Sequence, residues 1–203
     1  MEAKFDVTDL GKLNYFLGME FSYTPTGLLM HQKKYASDLL QRFNMDSCNS
    51  VTSPVEANVK LTNDEDGEAV DETLFKQIVG SLRYLCNSIP HISYGVGLVS
   101  RFMCNPKETH MLLAKRILRY VKGTSDHVIL FPVETQKSEL GIVGFADSYY
   151  GGDLGYLFLL NNALISGCSK KQPVIALSGC KAEYISGCYA ACQAIWHEKL
   201  QER

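Results

Sequence analysis

The 203-residue sequence lacks any apolar run that approaches the roughly 18 residues of a membrane-spanning helix. Its first residues, Met1 to Asp6, contain no apolar h-region, so no secretory signal peptide is expected. These absences predict an intracellular protein, cytoplasmic or nuclear, without a membrane partner.

The chain also lacks a Cys-x-x-Cys pair, and its cysteines number seven, which is odd. Cys188 and Cys192 lie four residues apart on one predicted helix, yet no histidine lies beside them at the spacing of a zinc site. We therefore expect reduced thiols that mostly fill the core, as in proteins of a reducing compartment.

Neither sign of charge dominates, because 20 basic and 22 acidic residues give a net charge of −2. Taken alone, this balance argues against strong nucleic-acid binding. The charges are unevenly distributed. The charged residues between 56 and 72 are acidic except for Lys60, and those between 101 and 122 are basic except for Glu108. For a basic helix over 107–122, two interpretations stay open: a surface that follows phosphates, or a solvated helix face.

Apolar spacing predicts an α+β fold that begins with a β-hairpin and a helix. Residues 12–30 alternate loosely around Pro25-Thr26-Gly27, which predicts a hairpin with a loop of several residues. Residues 32–43 have helical spacing. A long exposed connector is expected over 46–72.

Three helices are predicted in the middle of the chain. The first two cover 71–87 and 91–103. The third has Asn105 as its N-cap and Pro106 at its first helical position, and it ends at Gly123.

The last third of the chain changes to strands and one long helix. Strands are predicted over 128–132, 140–146, 155–160 and 163–166, with a tight turn at Asn161-Asn162. A helix over about 178–201 completes the sequence. Its predicted apolar face consists of Tyr184, Ile185, Cys188, Cys192, Ile195 and Trp196.

Six short phrases, spread over nearly the whole chain, carry a family resemblance: DLGKLNYFLG at 9–18, QKKY at 32–35, IVGSLRYL at 78–85, VSRFM at 99–103, AKRILRYVKGT at 114–124 and SKKQ at 169–172. In this order they resemble the C-terminal part of the Pol polyprotein of copia-type LTR retrotransposons. The resemblance implies a fragment of a reverse transcriptase and ribonuclease H (RNase H) polyprotein. The family role is RNA-directed DNA synthesis and hydrolysis of RNA–DNA hybrids.

The resemblance also implies three parts in sequence. Residues 1–45 correspond to the end of the reverse transcriptase palm, residues 46–137 to a helical thumb or connection region, and residues 138–203 to a partial RNase H domain. That last part would have a truncated sheet and one long helix. Because a truncated sheet leaves a strand unpaired, we expect self-association through its open edge.

The polymerase site of the family is expected to be absent. In the family, adjacent aspartates lie on a Tyr-x-Asp-Asp hairpin upstream of the phrase that begins at Asp9. No Asp-Asp pair occurs anywhere in this sequence. Since polymerase chemistry needs carboxylates that hold two Mg²⁺ ions, we do not expect this chain alone to polymerise DNA.

The RNase H part contains two carboxylates that match the family. Asp147 matches the catalytic aspartate of the first strand and Glu183 the catalytic glutamate of the first helix, so both are candidate Mg²⁺ ligands. A further family aspartate comes from a later strand, and Tyr149 and Lys181 occupy two positions where acids are usual. Two carboxylates hold Mg²⁺ only weakly, so we expect no tightly bound cofactor and no activity from this chain alone.

Other interpretations of the function stay open. The family position of helix 107–122 suggests that Lys115, Arg116, Arg119 and Lys122 contact a template–primer or RNA–DNA hybrid, and the alternative is that they face solvent. If the contact exists, the chain would be a non-catalytic module that binds nucleic acid or a partner. It would otherwise be an RNase H that borrows carboxylates from another chain. Arg116 to Arg119 also spell the Arg-x-Leu-Arg string of oomycete secreted effectors. That string belongs just after a signal peptide, so we interpret it here as a coincidence.

Overall fold

A computed structural model describes residues 11–56, 59, 61–62, 67–133, 141–149 and 152–201. The fold is α+β, as the sequence predicted, with two antiparallel sheets and five α-helices among these residues. The strands are β1 (Tyr15–Phe16), β2 (Met19–Thr24), β3 (Gly27–His31), β4 (Ile129–Pro132), β5 (Ile142–Tyr149), β6 (Asp153–Leu160) and β7 (Ala163–Lys171). The helices are α1 (Lys33–Arg42), α2 (Glu72–Leu85), α3 (Ser93–Val99), α4 (Glu108–Gly123) and α5 (Gly179–Gln201).

The first sheet has the order β1-β2-β3-β4. The predicted loop of several residues between β2 and β3 is shorter than expected, because Thr24 already pairs with Gly27 across a two-residue turn. The Thr24 hydroxyl closes this turn, since it accepts from the Gly27 N–H at 3.1 Å. A Cβ atom on Gly27 would lie 2.1 Å from the Phe131 carbonyl oxygen, so glycine is what lets β4 approach β3.

The main hydrophobic core lies among α1, α2, α3 and α4. The proposed boundary at residue 45 therefore falls between two elements of the same core. The fully buried side chains of this core come from α2, α3, α4 and the short turn Pro90–Ile92 that precedes α3. They include Phe75, Ile78, Leu82, Leu85, Ile92, Val96, Ile117 and Leu118.

The predicted helix over 91–103 is broken into three pieces. Pro90–Ile92 and Ser100–Phe102 are 3₁₀ turns, and only α3 between them is α-helical. Gly97 in α3 lies so close to β7 that an added Cβ atom would be 2.8 Å from the Ser169 carbonyl oxygen. This approach joins the helical core to the second sheet.

Helix α4 begins later than its sequence predicts. Its N-cap is Lys107, and Asn105 and Pro106 lie outside it. The reason is a tertiary contact: Lys107 is extended and forms an antiparallel bridge with Ala69, and the Glu108 N–H donates to the Glu68 carbonyl at 3.0 Å. A segment held in this bridge cannot also start the helix.

The second sheet has the order β5-β6-β7. Asn161 and Asn162 join β6 to β7 with φ values of 49° and 66°, which is the tight turn that the sequence predicted. Helix α5 packs on one face of this sheet through β5 and β6, and α3 packs against β7.

The predicted apolar face of α5 is wrong. Tyr184 is 86% exposed and Trp196 is 53% exposed, and Cys188 and Cys192 are exposed too. The face that meets the sheet carries Ala182, Ser186 and His197. Small residues lie at the start of this face because the Ser186 hydroxyl has to reach the strands to donate to them. The sheet itself supplies the large apolar side chain, Phe158, whose ring lies 5.1 Å from that of His197.

No helix within the described residues is long and apolar enough to cross a membrane.

Buried His110 generates a pH prediction. Its Nδ1 accepts from the Lys107 N–H at 3.0 Å, which places the ring proton on Nε2, 3.1 Å from the Thr62 carbonyl oxygen. The ring stacks on Phe102 at 3.9 Å, and burial lowers the pKa of His110.

A lowered folded-state pKa means that the unfolded chain binds the proton more readily. The stabilisation is therefore complete above the ordinary histidine pKa of about 6.5 and is lost as the pH falls below it, by at most about 1.4 kcal/mol per pH unit for one proton. We expect a lower urea midpoint at pH 5.5 than at pH 7.5, and a smaller pH dependence in His110→Gln. Burial also lowers the pKa of His91, so the His91→Gln variant measures how much of the pH dependence comes from this second histidine. An unchanged pH dependence in His110→Gln would contradict the assignment.

Candidate metal and nucleic-acid sites

Asp147 lies near the end of β5, opposite Gly155 of β6. It is exposed, and its carboxylate accepts from the N–H of the next residue, Ser148, at 2.8 Å. The carboxylate is thus at the surface, held by its own strand.

The pleat of β5 determines which way Asp147 faces. Ile142, Gly144 and Ala146 line a cavity together with residues of α5, so the even-numbered positions of β5 face that helix. Successive side chains alternate between the two faces of a strand. Asp147 therefore shares the opposite face with Phe145 and other exposed side chains of β5.

Glu183 lies in the second turn of α5 and is exposed. Three residues later, the Ser186 hydroxyl donates to the backbone oxygens of Asp147 at 2.8 Å and Gly155 at 3.1 Å. This contact brings the start of α5 against the strand that carries Asp147. The two candidate ligands lie on touching elements, with Asp147 on the face of the sheet away from the helix.

A metal centre needs more ligands than this pair. Among the residues with described positions, no three His, Cys, Asp or Glu side chains come together as metal ligands. Mg²⁺ demands near-octahedral oxygen coordination and binds through carboxylates that converge on it. The described donor set does not fit a two-metal site.

The predicted nucleic-acid contacts of α4 lie against the connector that precedes α2. Arg116 donates through Nε to the Ser53 carbonyl at 3.2 Å, and through Nη1 to the Glu56 carboxylate. Arg119 donates through Nε to the Asn49 carbonyl at 2.7 Å.

Lys122 continues the same row, because its ammonium group donates to the Cys48 carbonyl at 2.6 Å. We call these three side chains, Arg116, Arg119 and Lys122, the α4 ladder. They lie three residues apart, which places them along one side of the helix. The connector runs past them in the opposite direction, from residue 48 to residue 56.

The α4 ladder solves a local problem of the connector. Residues 48–53 belong to no described helix or strand, so no regular backbone hydrogen bonds satisfy their carbonyl groups. A partly buried carbonyl needs a donor, and basic side chains supply charge-assisted ones. Lys115, the fourth predicted contact, is exposed and does not belong to the ladder.

Sequence reasoning found these basic residues but not their partners. Every residue has a backbone carbonyl group, so the sequence cannot show that those of Cys48, Asn49 and Ser53 are the acceptors. Glu56 is the only partner that charge alone would suggest.

A second cavity lies between the two sheets. It has a volume of about 400 Å³ and includes His91 and His127, whose rings are 6.1 Å apart. The cavity between β5 and α5 is larger, about 610 Å³, and apart from Glu198 its lining is apolar. Neither carries a set of converging carboxylates among its lining residues.

Comparisons with known proteins give consistent matches. Residues 1–57 match the family model described as reverse transcriptase (RNA-dependent DNA polymerase). The chain is 37% identical over 203 residues to the retrovirus-related Pol polyprotein from transposon RE1 of Arabidopsis thaliana, a match that covers 97% of this chain and 14% of that protein.

Two shorter relatives are covered almost completely. An uncharacterized mitochondrial protein of Arabidopsis thaliana is 32% identical over 211 residues, covering 100% of this chain and 86% of that protein. Secreted RxLR effector protein 161 of Plasmopara viticola is 35% identical over 126 residues, covering 58% of this chain and 87% of that protein. No solved structure matches.

The α4 ladder generates a stability prediction. Arg116→Ala and Arg119→Ala each remove a donor from a connector carbonyl, so we expect each to lower the free energy of unfolding by about 1 kcal/mol, a value reduced for partial exposure. Lys115→Ala, one position away on the same helix, is expected to change it by less than about 0.5 kcal/mol. Urea unfolding followed by circular dichroism measures all three. Equal effects for Lys115 and its neighbours would show that the ladder is not what stabilises the connector.

The Ser186 contact predicts a similar asymmetry within α5. Ser186→Ala leaves two backbone oxygens without their shared donor, at an expected cost of about 1–2 kcal/mol. Cys192→Ala changes an exposed side chain of the same helix and is expected to have little effect. Thermal unfolding of both variants, monitored at the helix signal, makes the comparison. A Ser186→Ala protein as stable as the parent chain would refute the anchoring role.

Proposed function

Because the chain belongs to the family of retrovirus-related Pol polyproteins of copia-type transposons, we propose that it is a Pol fragment with no catalytic activity of its own. It contains a reverse transcriptase-like region at its N-terminal end. The chain spans 14% of the length of the RE1 polyprotein. The activities of a whole polyprotein therefore depend on segments that this chain does not contain.

The proposal of no polymerase activity rests on a missing pair. No two adjacent aspartates occur in the sequence, and two-metal chemistry on a nucleotide triphosphate needs carboxylates that hold both ions. The reverse transcriptase match of residues 1–57 shows relationship and supplies no such pair.

The proposal of no RNase H activity rests on the placement of Asp147, and this observation carries the proposal. Its side chain is on the face of β5 away from α5, whereas Glu183 is on α5 itself. In addition, no third ligand joins them within the described residues. Two-metal hydrolysis requires carboxylates that converge from neighbouring elements, and this arrangement separates them.

The alternative function, a non-catalytic module that binds nucleic acid through helix 107–122, has weaker support. The α4 ladder already donates to connector carbonyls, so Arg116 and Arg119 would have to leave these partners to reach a phosphate. Lys115 alone of the four candidates faces solvent without a described role. One lysine and a net charge of −2 give little electrostatic attraction for a hybrid.

A secreted effector role is not proposed. The likeness to the Plasmopara viticola protein is a family likeness, since the same chain also matches Pol polyproteins. In this fold the Arg-x-Leu-Arg string lies inside α4, with Ile117 and Leu118 fully buried. A string held in a helix and covered by the core is not an exposed recognition peptide.

A hybrid-cleavage assay tests the proposed function. The purified chain is incubated with a labelled RNA–DNA hybrid in Mg²⁺ and, separately, in Mn²⁺, with Asp147→Asn alongside. We expect no cleavage above buffer for either protein, because no converging carboxylate set holds the metal. Hybrid cleavage that Asp147→Asn abolishes would overturn the proposal. Cleavage equal in both proteins would instead reveal a contaminating nuclease.

Hybrid binding tests the alternative in a second experiment. Lys115→Glu reverses the one candidate charge that touches no connector carbonyl, so it would weaken any phosphate binding by this helix without loosening the fold. We expect no salt-dependent binding by the parent chain and no difference in Lys115→Glu. Fluorescence anisotropy at 50 and 200 mM salt, where phosphate contacts weaken strongly, makes the measurement. Salt-dependent binding that Lys115→Glu weakens would favour the binding module.

A further inference from the structure

Strand β5 is the outermost strand of the second sheet, and no described residue pairs with its free edge. It has eight residues, Ile142–Tyr149, and pairs with β6 over its whole length without a register shift. It contains no proline and no lysine, the residues that commonly blunt an edge. An unprotected edge of this length is a template for another strand.

The other edges of the two sheets are better protected. β7 ends in Lys170 and Lys171, its register with β6 is interrupted between Phe158 and Leu159, and α3 lies against it. In the first sheet the edge strands are β1, which has only two residues, and β4, which has four and ends in Pro132. The chain therefore carries protective features at these edges but lacks them at β5.

Both faces beside this edge are apolar. On the face away from α5, Phe145 is 54% exposed and Tyr149 is 72% exposed, with Val143 on the same side. On the other face, the 610 Å³ cavity lies between β5 and the small residues of α5, next to half-exposed Ile195. Exposed apolar area on both sides of an open edge indicates a docking surface for a strand.

We propose that β5 pairs antiparallel with β5 of a second copy of this chain. The pairing would be isologous, around a two-fold axis perpendicular to the sheet, and would give one continuous six-stranded sheet. The α5 helices of both copies would then lie side by side on one face, over the two adjoining cavities. Phe145 of each copy would lie on the other face.

The backbone of β5 is suited to this pairing. The carbonyls of Gly141 and Tyr149 point towards β6 and its turn, because they accept from the Asn161 N–H at 3.4 Å and the Gly152 N–H at 2.9 Å. The Ser148 N–H already donates to the Asp147 carboxylate, so Gly144 and Ala146 supply the amides for the pairing. Since the direction alternates along a strand, the even-numbered residues present their backbone groups to the free edge.

Charge distribution selects a second copy as the occupant. Asp147 is the only charged residue of β5. With the two-fold axis at Phe145, Gly144 would pair with Ala146 of the second copy, and Asp147 would lie opposite Val143. No like charges would face each other, so no charge repulsion between the strands opposes pairing of β5 with its own copy in this register.

Sedimentation velocity over a concentration series up to about 100 µM tests the proposal, since a weak dimer has a micromolar Kd. We expect a monomer–dimer equilibrium for the parent chain. Phe145→Lys would place two lysines opposite each other on the axis and raise the dimer Kd by about tenfold or more. Tyr184→Lys adds the same charge on the exposed side of α5 and is expected to leave the Kd unchanged. Far-UV circular dichroism confirms that each variant is folded.

Amide hydrogen exchange gives an independent readout. The Gly144 and Ala146 amides are expected to exchange more slowly at concentrations where the dimer forms, whereas amides of α4 are not expected to change. A chain that is monomeric throughout the series would overturn the proposal, and the edge would then be open for a different occupant. Open-ended aggregation, or an equal effect of Tyr184→Lys, would also overturn it.

Discussion

The requirement that backbone carbonyls find donors governs more of this molecule than any single apolar contact. Residues 48–56 cross the surface of the helical core without regular structure, and the α4 ladder supplies the hydrogen bonds that a sheet or helix would otherwise provide. The same principle acts at Ser186, whose hydroxyl satisfies oxygens of two strands at once. In both places a polar side chain fixes how a helix sits against its neighbours.

This constraint also explains why charge was an incomplete guide to function. A row of arginine and lysine on a helix has the same appearance in sequence whether it faces phosphates or carbonyl groups, because both are oxygen acceptors. What separates the two roles is the path of the connector, which depends on contacts far along the chain. The positions of Arg116, Arg119 and Lys122 are therefore accounted for by hydrogen bonds within the chain.

Local signals predicted the elements, and tertiary contacts decided the exceptions. The α+β class and the Asn161-Asn162 turn followed from periodicity and from residues that accept positive φ. The start of α4 did not, because the bridge between Lys107 and Ala69 overrides the capping sequence. The apolar stripe of α5 failed for a related reason: helical spacing identifies a face but not what that face meets. At the candidate site, the family resemblance identified Asp147 and Glu183. Only the alternation of side chains along β5 showed that Asp147 lies on the face of the sheet away from α5.

The pairing of β3 with β4 bears on how the chain assembles. Met30 pairs with Ile129, so the whole helical core lies between the two strands in the sequence. Closing so long a loop costs entropy before it yields any contact, so we expect this pairing to form late in folding. The helices thus serve as a scaffold that brings the two strands within reach. During synthesis on a ribosome, β3 would wait with one side unpaired until residue 132 emerges.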